Sequence, residues 1–328
     1  MTEMKSIAIK PLTAGDLNSV VEIDSATSGI SRRGYFEKRL TAGLNRPKDY
    51  VYVGLFAKDK LQGFALARLV VGEFGNAGAS AALDAIATRP EVGHQGYGQM
   101  LLDEVEKVLR HKDVSALTSQ VDWGNPDILG FLAGNGFQLS SRLILTRSTA
   151  EIPPELIEEP EDDGITELDY SSAESDDYQA LSRDRVPVRS MVEGDLAKII
   201  SIDADNSGSE RAEYYSRKLH QSLHESGVRV SLAAELDGFV VGFIMARVDF
   251  GEFGHTSPEA VMDSIGVDPG FAGQGVGKAL MSQLMANLAV LRVERLRTEI
   301  AWNDTGLIRY LDATGFSPAQ RITLYKPL

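Results

Sequence analysis

The chain has 328 residues, 43% of them hydrophobic and 24% charged, with no cysteine and a formal net charge of −14. That length suits two domains of ordinary size better than one core, and the composition is that of a globular protein. The missing cysteines exclude disulfides, thiolate metal sites and a cysteine nucleophile, and no metal site is expected. The start, Met1-Thr-Glu-Met-Lys-Ser-Ile7, has no apolar signal core, and no apolar run reaches membrane-spanning length. A cytoplasmic protein without a membrane partner is expected. The charge is concentrated: from Glu151 to Arg185, thirteen Asp and Glu face two Arg, a surplus of eleven. Residues 151–185 therefore read as a solvated acidic linker, with an acidic docking tail as the alternative. Such a balance argues against nucleic acid as its partner.

The sequence repeats itself at a constant offset of 179 residues. Gly15-Asp-Leu17 falls on Gly194-Asp-Leu196, Ile23-Asp24 on Ile202-Asp203, and Ser28-Gly29 on Ser207-Gly208. Gly72-Glu-Phe-Gly75 falls on Gly251-Glu-Phe-Gly254, Trp123 on Trp302, and Gly136-Phe137 on Gly315-Phe316. A repeat this long makes each copy a complete domain, over 1–150 and 186–328, which should survive as folded fragments once protease nicks the linker.

In chain order, each copy predicts a short strand (7–10 and 186–189) leading through a Gly-Asp turn into an amphipathic helix. A second helix follows, near 35–44 and 214–223. Its His220 and His224 stand i,i+4 but lack a third ligand in sequence and are assigned to a solvent face. Two strands turn at Lys58-Asp-Lys60 and Leu236-Asp-Gly238. A further strand (83–88 and 262–267) runs into a glycine-rich loop and a helix. A strand, a helix and a closing strand complete the copy. The class is α/β (mixed α+β), a twisted, mixed, mostly antiparallel sheet flanked by helices. Trp123 and Trp302 are expected to pack in the core, with the lining of an acceptor pocket as the alternative.

The loop carries the chemistry. Val267-Asp-Pro-Gly-Phe-Ala-Gly-Gln-Gly-Val-Gly-Lys-Ala-Leu280 ends a strand, breaks it with proline and spaces three glycines before a helix. The first copy repeats it as Ala87-Thr-Arg-Pro-Glu-Val-Gly-His-Gln-Gly-Tyr-Gly-Gln-Met-Leu101. Glycines allow torsions that turn successive N–H groups inward at the positive end of a helix, where a diphosphate is the natural guest. A dinucleotide fingerprint would lie near the first strand in the order Gly-x-Gly-x-x-Gly, and it does not. Here the sequence resembles the GNAT acetyltransferase superfamily, whose diphosphate loop reads Gln/Arg-x-x-Gly-x-Gly/Ala. Gly96 and Gly98, and Gly275 and Gly277, stand at its glycines; Gly93 and Ala272 replace the Gln/Arg. Asn125 keeps the family's spacing to Gly136-Phe137, and Asp304 takes the Asn position in the second copy.

The resemblance implies two acyl-CoA N-acyltransferase domains, with acetyl-CoA as acyl donor in a gap between two parallel strands. The implied cofactor-binding residues are Ile86, Thr88, Gly93, His94, Gln95, Gly96, Tyr97, Gly98 and Asn125 in the first copy. In the second they are Ile265, Val267, Ala272, Gly273, Gln274, Gly275, Val276, Gly277 and Lys278. It also implies attack by an amine, of a small molecule or peptide, on the thioester, aided by a base and an oxyanion donor. Asp84 and Asp263, among apolar neighbours on the strand entering the loop, are the first choice of base. Glu73 and Glu252 compete, and pairing of the two Asp with Arg68 and Arg247 is the structural alternative. The tyrosine often found before Gly-Phe is Leu132 and Leu311 here, with Phe131 and Tyr310 one residue earlier. That leaves the acid unassigned and keeps two rivals open: a non-catalytic acyl-CoA-binding or regulatory protein, and a pair with one catalytic and one structural domain.

Overall fold

The computed structural model describes residues 7–71, 79–149, 186–225, 228–250 and 258–328. The linker 151–185, Glu73 and Glu252 lie outside the described residues. The first copy runs β1 (Ile7–Pro11), α1 (Leu17–Ser28), α2 (Arg33–Asn45), β2 (Tyr50–Ala57), β3 (Lys60–Val71), β4 (Ala79–Thr88), α3 (Tyr97–His111), β5 (Ala116–Asp122), α4 (Pro126–Gly134), β6 (Gln138–Leu139) and β7 (Arg142–Ser148). The second runs β8 (Val188–Ser190), α5 (Leu196–Ser207), α6 (Ala212–His220), β9 (Leu232–Leu236), β10 (Phe239–Phe250), β11 (Pro258–Val267), α7 (Val276–Val290), β12 (Arg295–Ala301), α8 (Thr305–Ala313), β13 (Ser317–Pro318) and β14 (Arg321–Pro327). Among the described residues no helix is long and apolar enough to cross a membrane.

Local chemistry sets these ends in both copies alike. Helices α1 and α5 stop at Gly29 and Gly208, whose φ of 74° and 72° only glycine adopts without cost. The β2–β3 hairpin turns on Lys58 and Asp59, and β9–β10 on Asp237 and Gly238, all with positive φ, as a two-residue turn matched to strand twist requires. Helix α2 is clamped to α1 by a buried pair, Arg32 Nε to Asp24 at 3.0 Å, repeated as Arg211 Nε to Asp203 at 2.8 Å. Each guanidinium also lies over a neighbouring aromatic pair, Tyr35 and Phe36 or Tyr214 and Tyr215.

The two seven-stranded sheets have the orders β1-β2-β3-β4-β5-β14-β6 and β8-β9-β10-β11-β12-β7-β13. Every neighbouring pair is antiparallel except β4–β5 and β11–β12. The closing strands are exchanged. β14, from the second copy, pairs with β5 over seven residues, Arg321↔Asp122 to Pro327↔Ala116. β7, from the first, pairs with β12 over seven, Ser148↔Arg295 to Arg142↔Ala301. The boundaries 1–150 and 186–328 follow the chain, but each sheet is completed by the other copy. Where the copies meet, Gln120 donates to Glu299 at 2.7 Å, and these are equivalent positions of the repeat. Arg297 bonds Gln120 at 3.1 Å and Glu259 at 2.9 Å, and Arg142 pairs with Glu299 at 2.6 Å. This buried layer is hydrogen-bonded and ion-paired across the junction, with Arg142 Nε making the ion pair but no hydrogen bond among the described residues.

Each sheet is covered on both faces. Helices α3 and α7 seal one face with Leu101, Leu102, Val105 and Leu109, and with Leu280, Leu284, Met285 and Leu288. The first two helices of each copy seal the other, around Phe36 and Phe64, and around Tyr215 and Phe243.

Candidate active site

In each sheet the two parallel strands pair briefly and then part. β4 and β5 pair at Ser80↔Ala116, Ala81↔Leu117 and Ala82↔Thr118 and not beyond; β11 and β12 pair only at Glu259↔Arg295, Ala260↔Leu296 and Val261↔Arg297. Where pairing ends, a hydroxyl reaches across the gap: Ser119 Oγ to Leu83 O at 3.0 Å, and Thr298 Oγ1 to Met262 O at 2.9 Å. A bulge follows. Leu66 and Ala67 pair with Ala85 and Leu83, so Asp84 is the extra residue; Met245 and Ala246 pair with Ser264 and Met262, so Asp263 is. A bulge re-aims the side chain it carries. Asp84 and Asp263 accordingly sit beside Arg68 and Arg247, on the face covered by the first two helices, 3% and 6% exposed.

The parted strands point at the glycine loop. Ile86 and Thr88, and Ile265 and Val267, lie on the ends of β4 and β11 that lead into it, still paired with β3 and β10 but no longer with β5 and β12. One turn of 3₁₀ helix (Pro90–Val92; Pro269–Phe271) is followed by Gly93 or Ala272, then a left-handed residue, His94 (φ 59°) or Gly273 (φ 75°). After Gln95 or Gln274, a left-handed glycine starts the long helix, Gly96 (φ 80°) for α3 and Gly275 (φ 83°) for α7. Neither start has a side-chain cap, so the first-turn N–H groups keep their capacity for an anion. A Cβ at Gly96 or Gly275 would meet nothing within 4 Å. The torsion and the open space, not crowding by protein atoms, are therefore what glycine supplies there. Tyr97 and Val276 belong to the cores, so they offer the loop main chain only, while His94, Gln95 and Gln274 are exposed and Lys278 is half-buried.

The last glycine of each loop has a different reason. A Cβ at Gly98 would stand 3.1 Å from the Phe131 ring, and at Gly277 3.1 Å from the Tyr310 ring. These aromatics let α4 and α8 rest on the starts of α3 and α7. Tyr310 also donates to Gly277 O at 2.7 Å, and burial raises its pKa well above the usual phenol value, with Arg147 opposing. A phenol so engaged is a packing element. Asn125 caps α4 by accepting from Ile128 N at 3.2 Å, and Asp304 caps α8 by accepting from Leu307 N at 3.0 Å. That shared role explains why Asp can replace Asn there.

The two bulge carboxylates differ. Lys218 donates to Asp263 Oδ2 at 3.1 Å and Arg247 bonds its Oδ1. Arg68 Nε lies 3.2 Å from both oxygens of Asp84 but donates only to Oδ1, leaving Oδ2 without a hydrogen bond among the described residues. The arginine pairing weighed in the sequence is therefore present in both copies. One expectation is corrected: Trp123 and Trp302 are not core residues but 62% and 51% exposed. They stand just past β5 and β12, with their backbone N–H groups donating to Gln320 O and Ser141 O beside the exchanged strands. The position directly after a strand end was the available sign.

The acetyltransferase (GNAT) family model matches the chain twice, over residues 17–137 and 196–316. No curated protein sequence matches it. Among solved structures, it is similar to the glucosamine N-acetyltransferase region of a fungal multi-domain β-N-acetylglucosaminidase, with 12% identity and a TM-score of 0.65 over 99% of this chain. The chain spans only 38% of that protein's length. It is also similar to an N-acetyltransferase from Sphaerobacter thermophilus, at 15% identity and TM-score 0.60, covering 98% of this chain and 95% of that one. A tandem GNAT protein from the clavulanic acid biosynthesis pathway gives 15% and 0.60, covering 98% of each. At such identities the structures speak for the fold, and the family model for descent: the chain belongs to the acetyltransferase (GNAT) family, as a tandem of two such domains.

Proposed function

We propose that the chain is an acetyl-CoA-dependent N-acetyltransferase. The observation that carries this reading is the parting of two parallel strands beside an uncapped helix start, in both copies. The diphosphate would rest on main-chain amides of Gly93–Gly98 and Ala272–Lys278, with Lys278 adding a charge. The pantetheine arm would run along Ile86 and Thr88, or Ile265 and Val267, whose strands lack a neighbour on that side. The gap lets the arm cross the sheet, from the face of the long helix to the face where Asp84 and Asp263 lie.

The chemistry then follows. The acceptor ammonium gives one proton to a base, and the freed lone pair attacks the thioester carbonyl. The C–S bond breaks, the nitrogen releases a second proton as the amide forms, and the thiolate takes up a proton to leave as the thiol. Asp84 Oδ2, buried beside Arg68 but accepting no hydrogen bond among the described residues, would receive the first proton, directly or through water; Asp263 has both oxygens engaged. Glu73 and Glu252 stay as alternatives. With leucine at 132 and 311 and Tyr310 committed to Gly277, water is the source of the thiolate proton. The test is transfer of labelled acetyl from acetyl-CoA to a panel of amines by the full chain. Product with at least one amine supports the reading, and binding of acetyl-CoA without transfer to any favours the non-catalytic rival.

A further inference from the structure

Each gap between parallel strands lies between two edges that are anchored on their far sides. β4 is laddered to β3 from Gly63↔Thr88 to Val71↔Ala79, and β5 to β14 over seven residues. β11 and β12 are held in the same way by β10 and β7. Two residues beyond the last β4–β5 pair, Gln120 donates to Glu299 at 2.7 Å, which also ties β5 to β12 across the junction. What stands between the anchored edges therefore sets how far apart they lie.

The same group stands there in both copies. Ser119 Oγ donates to Leu83 O at 3.0 Å, and Thr298 Oγ1 to Met262 O at 2.9 Å. Both residues are buried, 7% and 4% exposed. They are equivalent positions of the repeat, whereas their neighbours diverge, Thr118 and Gln120 against Arg297 and Glu299. The divergence is chemical as well: Thr118 Oγ1 donates to Ala81 O at 3.1 Å, while Arg297 reaches Glu259 at 2.9 Å. The hydroxyl common to both copies is thus the one at the parting point, and its acceptor is the carbonyl just before the bulge.

That hydroxyl accounts for the parting. In a continued parallel ladder the Leu83 carbonyl would accept from a main-chain N–H of β5, with the strands about 4.8 Å apart. A hydroxyl satisfies the same buried carbonyl from the end of a side chain, so no main-chain approach is needed. Because the peptide unit is rigid, the bond also fixes the Leu83–Asp84 plane, and with it the start of the bulge that aims Asp84; Met262–Asp263 is fixed likewise.

We propose that Ser119 and Thr298 are positioning residues for the acyl donor, their hydroxyls setting the width of the gap that the pantetheine arm crosses. This rests on the acyl-CoA reading of the gap and names the group that makes it. The diphosphate end belongs to the glycine loop, so the hydroxyls act on the arm alone.

Thr298 gives the sharper test, because valine keeps its shape without the hydroxyl and serine keeps the hydroxyl without the methyl. Acetyl-CoA, and 3′-phospho-ADP as CoA without its arm, are titrated separately into the full chain and its variants. Thr298→Val should weaken one acetyl-CoA site at least tenfold, and Thr298→Ser should stay within threefold of the parent. Neither should change the affinity for 3′-phospho-ADP more than twofold. Ser119→Ala should weaken the other acetyl-CoA site as Thr298→Val weakens its own. Thr298→Val within threefold of the parent, Thr298→Ser as weak as Thr298→Val, or an equal loss for both ligands would overturn the inference while the acyl-CoA reading stands. If the parent binds no acetyl-CoA, that reading falls, and amide hydrogen exchange of the ligand-free chain decides the rest. Residues 263–267 should then exchange at a rate at least tenfold different in Thr298→Val and at the parent rate in Thr298→Ser. Parent rates in both variants would overturn the role of the hydroxyl in setting the gap.

Discussion

A protease site placed in the acidic segment 151–185 cuts the chain between its copies, and the exchanged strands determine what happens next. β7 buries Ile144 and Leu145 in the second domain, an apolar contribution of roughly 3–6 kcal/mol. Its seven-residue ladder with β12 adds roughly 3–10 kcal/mol at the usual net value per hydrogen bond. Removing it would cost about as much as the 5–15 kcal/mol by which a domain is stable. Nor can a copy readily close its own sheet. For β7 to take the slot of β14, Leu145 would have to pair with Leu139, as Leu324 does. Arg142 would then lie three residues further along, about 10 Å, and one strand spacing across, about 4.8 Å. The three links from Leu139 to Arg142 reach at most about 11 Å fully stretched, which leaves nothing for a turn. Cut protein should therefore elute as one species with the mass of the intact chain and a single thermal transition, and separate only in denaturant. Light scattering after size exclusion reads this directly. Two halves that part under native conditions as folded monomers would refute the reasoning.

Three further outcomes follow from local contacts. Asp24→Ala leaves Arg32 buried without its carboxylate and should cost about 3–5 kcal/mol in denaturant unfolding, whereas an exposed pair would cost little. Tyr310→Phe removes the bond to Gly277 O and should cost about 1 kcal/mol, with acetyl-CoA affinity unchanged, because the hydroxyl is a packing element. Burial raises the pKa of Asp195, but its hydrogen bonds with Arg189 and the Val192 amide outweigh that and leave it lowered. A carboxyl lowered on folding stabilises above its unfolded pKa of about 3.9, and that contribution is lost as pH falls through the folded value. Asp195→Asn should thus lower Tm at pH 7, by an amount that shrinks below about pH 4 and vanishes in stronger acid; a constant difference at all pH would count against it.

The repeat, the hairpins and the glycine loop were legible in the sequence because each is encoded by neighbours in the chain. Positive φ at Asp237-Gly238 and a proline-broken strand before Gly275 are local facts, and the structure has both. The exchange of β7 and β14 was not legible. Alternation of apolar and polar residues specifies the face a strand buries but not the sheet it joins, and the repeat makes the two strands equivalent candidates for either slot. The lock on Asp263 was hidden in the same way. Lys218 lies 45 residues away on α6, and only the bulge turns the carboxylate toward it. Gly98 and Gly277 were legible as glycines, but their reason is the aromatic ring that rests on each.

The central claim, that both glycine loops bind the CoA diphosphate through main-chain amides, is tested most directly by calorimetric titration of the full chain with acetyl-CoA. Two sites per chain are predicted. Gly96→Val and Gly275→Val, each forcing a β-branched residue into a left-handed torsion at a helix start, should each reduce the count to one and leave the other site's affinity intact. Unchanged stoichiometry and affinity in either variant would contradict the account for that domain.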